Sequence, residues 1–230
     1  MSDAEPARGH VKHLVIAIDG PAASGKSSTA RRVAERLGIH HADSGVLYRA
    51  ATLARQRAGG EPPWSEDSVL EATRGVTFDL PPRETSWAVR VLGKSVDDEL
   101  HSPVVSGLVS HVAQMLRVRA WVNEQMRLFA ARGPLVVDGR DMGTAVFPDA
   151  RLKIFLDAHP TVRARRRSLQ QLDRLPSVDE LAAETERLNT RDEKDATQTR
   201  RAPDAIVIDT THLTQEVQVS QIAALAKGVR

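Results

Sequence analysis

The stretch Gly20-Pro21-Ala22-Ala23-Ser24-Gly25-Lys26-Ser27 restricts this chain more than any other. Two glycines, a lysine and a serine stand at the spacing of a loop that cradles phosphate. An apolar run, Leu14-Val15-Ile16-Ala17-Ile18, leads into it, and Ser27 to Leu37 reads as a helix leaving it. Strand, glycine turn and helix start, in that order, aim backbone N–H groups and the positive end of a helix dipole at one anion. The glycines let the backbone bend and come close. Lys26 adds a point charge near a transferred phosphate, and Ser27 offers a hydroxyl to Mg²⁺. A glycine turn that matches by chance is the plain alternative. The loop points to a nucleoside triphosphate and leaves its use open.

At 230 residues the chain can bury one sizeable core with a small inserted lobe. Apolar residues make up 41% and the net charge is +2, so no global charge draws the chain to a nucleic acid polymer or a membrane. An electropositive site must come from local clustering of arginines. Cysteine is absent, which excludes disulfides and thiolate metal sites and suits a reducing, cytoplasmic setting. No apolar run reaches the ~20 residues of a membrane span. Residues 1–12 are polar, lack the apolar core of a signal peptide, and read as a mobile tail.

The helix after Lys26 places Ala30, Val33, Ala34 and Leu37 on one face, and Gly38 should stop it in a left-handed conformation. A short strand over 39–42 leads to Asp43-Ser44-Gly45 and a helix over 46–57, which Ser44 can cap. Residues 76–80 and 87–92 read as two antiparallel strands joined by a turn at Pro81-Pro82-Arg83-Glu84, with a further turn at Gly93-Lys94. Helical periodicity covers 104–114 and 118–131. Three more strands follow, over 135–138, 152–157 and 205–209, with helices over 161–172, 177–189 and 213–227. Strands alternating with helices predict a doubly wound parallel α/β sheet whose ligands sit beyond the strands' carboxyl ends. Asp19, Asp138 and Asp157 fall near such ends, where the chemistry should gather.

Three further features carry chemistry. Arg49 lies about one turn into the helix after Asp43-Ser44-Gly45 and can reach an anion held at Ser44; a plain capped helix with a surface arginine fits equally. Asp138 ends a buried strand and, beside a phosphate loop, can hold Mg²⁺ directly or through water. Arg140 and Asp141 then extend into the cleft, although a charged turn with an internal ion pair gives the same sequence. Arg163, Arg165, Arg166 and Arg167, then Arg191, Lys194, Arg200 and Arg201, form an arginine field. Arg163 shares a face with Arg166 or Arg167 and such forks match phosphate oxygens, while a solvated basic face is the bland reading of most of them. His40 and His41 are adjacent, so their rings diverge, and no zinc site is expected. Trp64, Trp87 and Trp121 read as packing residues of the inserted lobe.

Gly20 to Ser27, Asp43 to Arg49, Val137 to Thr144, Phe147-Pro148-Asp149-Ala150, and Arg191-Asp192 with Asp195 together resemble the bacterial cytidylate kinases, members of the nucleoside monophosphate kinases. The match runs in order from Leu14 to Asp209. The resemblance implies ATP-dependent phosphorylation of CMP and dCMP. It implies a five-stranded parallel core over 13–59 and 132–230, an acceptor lobe over 60–131 holding a small antiparallel sheet, and a short lid over 160–200. Gly20, Pro21, Ala22, Ala23, Ser24, Gly25, Lys26, Ser27 and Ser28 would bind ATP. Ser44, Arg49 and Arg140 would hold the CMP phosphate; Ser110, Arg119 and Asp141 would read the cytosine edge; Tyr48, Arg191 and Asp195 would lie near the sugar. Lys26, Arg140, Arg166 and Arg191 would be the catalytic cations, and Ser27 with Asp138 the Mg²⁺ ligands. A cytoplasmic monomer is implied. One position departs: where the family places an arginine after Asp195, this chain has Gln198, and Arg200 or Arg201 could replace it.

A phosphate monoester loses its second proton near pH ~6, so such an acceptor is already a nucleophile and needs no general base. Two polyanions must be positioned and their repulsion offset. A carboxylate facing the base suits the exocyclic amine of cytosine and leaves the oxygen of uracil mispaired. A nucleotide-dependent switch built on the same loop is a second reading, disfavoured because no guanine-reading Asn-Lys-x-Asp motif is present. A kinase for a hydroxyl acceptor is a third, with Asp43 as its placed base.

Overall fold

The computed structural model describes residues 13–80 and 84–229. The expected tail over 1–12 and the turn at Pro81-Pro82-Arg83 lie outside them. Strands β1 (Val15–Asp19) and β2 (His40–Asp43) flank helix α1 (Lys26–Leu37). Helix α2 (Ser44–Arg57) follows, then α3 (Glu66–Thr73), β3 (Val76–Asp79), β4 (Ala88–Val91), β5 (Lys94–Ser95), α4 (Pro103–Val112) and α5 (Leu116–Ala130). The chain then forms β6 (Leu135–Gly139), a π turn over Met142–Val146, β7 (Leu152–Asp157), α6 (Pro160–Leu172), α7 (Val178–Asp195), β8 (Ile206–Asp209) and α8 (Gln215–Gly228).

Five strands form one parallel sheet in the order β2-β6-β1-β7-β8. Its alternation is what divides the core. Ile16, Ile18, Val136, Ile154 and Leu156 point to the side covered by Ala30, Val33 and Ala34 of α1 and by Val219, Ile222 and Ala226 of α8. Val15, Ala17, Leu135 and Val137 point to the other side, against Leu47, Val122, Met126 and Phe129. Because both faces are covered, the central strands are continuous apolar runs. Gly38 ends α1 at φ +63°, with the Ile39 N–H closing back on the Ala34 carbonyl at 3.0 Å.

Between α2 and β6, strands β3, β4 and β5 form a small antiparallel sheet, with Val76 opposite Val91. The pairing of β3 with β4 follows the sequence expectation. Helix α3 and the short β5 were not anticipated: α3 has few apolar positions, and β5 has two residues, both exposed. Trp64 packs with Ala51, Val69 and Val118, and Trp87 stacks on Phe129 with ring centres 4.2 Å apart, so the tryptophans are packing residues as expected. Helix α7 runs six residues past the expected Asn189, which carries Arg191 and Asp195 onto a helix. Among the described residues, no helix is long and apolar enough to cross a membrane.

Candidate active site

The chain leaves β1 to reach β2, beyond β6, and leaves β6 to reach β7, on the far side of β1. Neighbouring strands whose chains depart in opposite directions open a crevice at their carboxyl ends. A cleft of about 1030 Å³ lies there. Of the anticipated residues it is lined by Ala22, Ala23, Gly25, Lys26, Ser27, Ser28, Ser44, Tyr48, Arg49, Ser110, Arg119, Arg140, Asp141, Arg166, Arg191 and Asp195. Gly20, Pro21, Ser24 and Asp138 stand behind this lining.

The phosphate loop takes its shape from its glycines. Gly20 has φ +155°, and a Cβ there would lie 2.2 Å from the Leu156 carbonyl oxygen; Gly25 has φ +91° just before α1. Lys26 Nζ donates to the Pro21 carbonyl at 3.1 Å, and Arg140 Nη1 to the Gly20 carbonyl at 2.8 Å. Burial, helped by the nearby Arg140 charge, draws the Lys26 pKa down to about 7. Ser28 Oγ donates to the Gly25 carbonyl at 2.9 Å, and the buried Ser24 Oγ has no partner among the described residues.

Asp138 shares the α1 side of the sheet with Val136, and so meets the start of α1. Ser27 Oγ donates to Asp138 Oδ2 at 2.5 Å. On the next strand His41, two residues before Asp43, lies on that same side: its Nε2 is 2.7 Å from Asp138 Oδ1, and its Nδ1 is 3.4 Å from Ser86 Oγ. The sequence names His41 only as the neighbour of His40 and gives it no task. Its signal was the two-residue stagger of an adjacent parallel strand, visible only once β2 is paired with β6. Asp43 sits opposite Asp138, and burial together with that neighbouring carboxylate pushes its pKa up.

Ser44 does not cap α2. Asp43 leaves β2 extended and its Oδ1 accepts the Gly45 N–H at 2.7 Å, while Ser44 is already helical and donates to the Asp138 carbonyl at 3.0 Å. Asp19 and Asp157 also have other tasks than expected. Asp19 accepts the N–H groups of Met142 and Gly143 at 2.8 and 2.7 Å and so anchors the loop that bears Arg140 and Asp141. Burial pushes its pKa up to about 6. Asp157 is exposed and binds the Ala158 N–H at 2.8 Å, outside the cleft.

Across the cleft, Arg49 Nη1 donates to the Leu100 carbonyl and Ser106 Oγ, each at 3.0 Å. Arg119 pairs through Nη2 with Asp141 and donates through Nη1 to the Ala113 carbonyl at 3.1 Å and Gln198 Oε1 at 2.8 Å. Burial raises the Asp141 pKa against the pull of Arg119. Tyr48, pushed up to about 12 by burial, is neutral. Arg200 and Arg201 are exposed and do not line the cleft, so neither replaces the expected arginine; Gln198 itself occupies that place.

The arginine field divides. Arg163 is buried and structural: it is 2.5 Å from Asp192 and donates to the carbonyls of Ala22 at 3.0 Å and Ala158 at 3.1 Å. It neither closes over a phosphate nor forms a solvated face, because α7 brings Asp192 against it. Arg165 is exposed. Arg166 donates to the Thr210 carbonyl at 2.6 Å and to Thr210 Oγ1 at 3.0 Å. Arg167, a member of the field to which the resemblance gave no role of its own, lines the cleft with Arg191; burial and the Arg191 charge hold its pKa down. Asp195 Oδ2 lies 3.1 Å from Arg140 Nη2 and 3.8 Å from Arg191 Nε.

A model of the family described as cytidylate kinase matches residues 16–228. The chain belongs to the cytidylate kinase family. It is 43% identical over 210 residues to a cytidylate kinase of Thermus thermophilus, covering 91% of this chain and 97% of that protein. It is 44% identical over 211 residues to a cytidylate kinase of Deinococcus deserti, covering 92% and 98%. A bifunctional pantoate ligase/cytidylate kinase of Synechococcus matches 80% of this chain at 43% identity through 37% of its own length. Membership in the cytidylate kinases makes this chain a kinase built on a phosphate-loop fold.

Proposed function

We propose that the chain transfers the γ-phosphoryl group of ATP to CMP and dCMP, giving ADP with CDP or dCDP. The observation that carries this reading is the cleft itself: the phosphate loop and the Arg119–Asp141 pair face one cavity, which Arg49, Arg140, Arg167 and Arg191 also line. A cavity with that layout receives one polyanion at the loop and another with its base against the pair. The donor phosphates lie on the N–H groups from Ala22 to Ser28. The acceptor phosphate lies among Ser44, Arg49 and Arg140, and Ser110 joins the base edge. Arg191 and Asp195, with Tyr48, flank the sugar. Residues 60–131 act as the acceptor lobe and 160–200 as the lid that brings Arg166 and Arg167 over the donor.

The chemistry follows from charge. The acceptor phosphate is already ionised at neutral pH, so its oxygen attacks without a base. Lys26, Arg140, Arg166 and Arg191, joined by Arg167, offset the repulsion between the two substrates and the charge that develops on the transferred group. Ser27 and Asp138 suit Mg²⁺: their oxygens are hard donors 2.5 Å apart at the mouth of the loop. When bound, Mg²⁺ supplies further neutralisation of the triphosphate. One or two protein oxygens plus phosphate suffice for this ion. The reading includes a monomer acting in the cytoplasm, a reducing compartment that suits a chain without cysteine.

A coupled assay of ADP release with CMP, dCMP, UMP and AMP tests the reading. CMP and dCMP should give turnover that depends on Mg²⁺. No turnover with either would end it.

A further inference from the structure

Gln198 is the residue at which this chain parts from the resemblance, and its contacts give it a task. It stands on the turn that closes α7, held by its N–H to the Asp195 carbonyl at 2.9 Å. From there it crosses to Arg119, on α5, at 2.8 Å, while Arg119 also pairs with Asp141. A guanidinium donates hydrogen bonds and accepts none. The amide oxygen of Gln198 must therefore be the atom that faces Arg119. Its NH₂ group makes no hydrogen bond with the described residues, and Gln198 lines the cleft.

We propose that Gln198 is a specificity-determining residue for the acceptor base. Its oxygen fixes Arg119 against Asp141, and its NH₂ group donates to the ring carbonyl O2 of a pyrimidine. This inference rests on the reading of the cleft as a CMP site. Beside Ser110, three groups then face one base edge: a carboxylate that accepts, a guanidinium that donates and an amide that donates. Cytosine presents the complement, an exocyclic amine that donates, a ring nitrogen that accepts and a carbonyl that accepts. Uracil mismatches the first two. Adenine matches the first two but has a C–H where cytosine has O2, so the amide donor is left unpaired. Asp141 separates cytosine from uracil, and Gln198 separates cytosine from adenine. A neutral amide does this without adding another cation beside Arg119.

Two substitutions divide the roles of the amide. Gln198→Glu keeps an acceptor for Arg119 and deletes the N–H donor; Gln198→Ala deletes both. Steady-state kinetics of the full chain with CMP and UMP, with AMP as a competitor of CMP, read the outcome, and thermal unfolding checks the fold. Both variants should raise KM for CMP by roughly tenfold, as loss of one hydrogen bond to a buried acceptor predicts, with kcat within about twofold. AMP should compete better against CMP by a similar factor, and Gln198→Glu should leave the CMP-to-UMP ratio unchanged. A Gln198→Glu variant with wild-type KM overturns the donor role, as does a loss confined to kcat. A wild-type chain inert toward CMP strikes the CMP reading itself; an active wild type with unchanged variants strikes only Gln198.

Discussion

His41 Nε2 lies 2.7 Å from Asp138 Oδ1, and the two side chains are 8% and 0% exposed. The other oxygen of the same carboxylate accepts from Ser27, so Asp138 is held on both sides in one orientation. Replacing His41 by Leu leaves Oδ1 buried without a donor. The expected cost is about 1–3 kcal/mol of stability by chemical denaturation, together with a reduced kcat. His41→Gln, whose amide can still donate, should recover much of both. Equal stability for His41→Leu and wild type would show that the contact holds nothing in place.

Lys26 gives a prediction about protons. Its pKa of about 7 in the free protein lies below the ordinary 10.5, and a bound triphosphate must raise it. Below pH 7 the lysine is charged both free and bound, so binding takes up no proton there. Above pH 7 it is neutral when free and charged when bound, so ATP binding takes up a proton and weakens as pH rises. Calorimetry of ATP binding in buffers of different ionisation heat should show this uptake at pH ~8 and little at pH ~6. Lys26→Met should abolish both the uptake and the transfer while leaving the fold intact.

Asp141→Ala removes the acceptor expected to meet the cytosine amine. The CMP-to-UMP ratio of kcat/KM should fall about tenfold or more, with ATP binding unchanged. An unaltered ratio would place base selection elsewhere in the cleft.

Two glycines with positive φ should respond differently to alanine. At Gly20 the new Cβ would meet the Leu156 carbonyl oxygen at 2.2 Å, and neither backbone can yield without moving β1 or β7. Gly20→Ala should lose nucleotide binding and more than about 2 kcal/mol of stability. At Gly38 nothing lies within 4 Å, so Gly38→Ala should cost only about 1 kcal/mol, the strain of a left-handed alanine. Comparable melting points for the two variants would contradict the steric account.

The elements that sequence disclosed are those written in local pattern. The apolar runs of β1, β6 and β7, the loop Gly20–Ser27 and the stop at Gly38 all depend on residues close together in the chain. Ser27 with Asp138 was also legible, because a strand-end acid beside a phosphate loop has few other places to go. What stayed hidden depends on pairing across the chain. His41 reads as an ordinary histidine until β2 lies beside β6. Arg163 and Arg167 look alike in sequence, yet α7 sets Asp192 against the first and leaves the second facing the cleft. The cap of α2 shifted by one residue because Asp43 is extended where Ser44 is not. Gln198 was legible as a departure from the family pattern but had no task until Arg119 appeared at its amide oxygen.

Asp195 touches Arg140 and approaches Arg191. A cavity bristling with guanidinium groups would push its own walls apart. One carboxylate shared between two of those groups supplies a resident counterion, so the cations can stand close together.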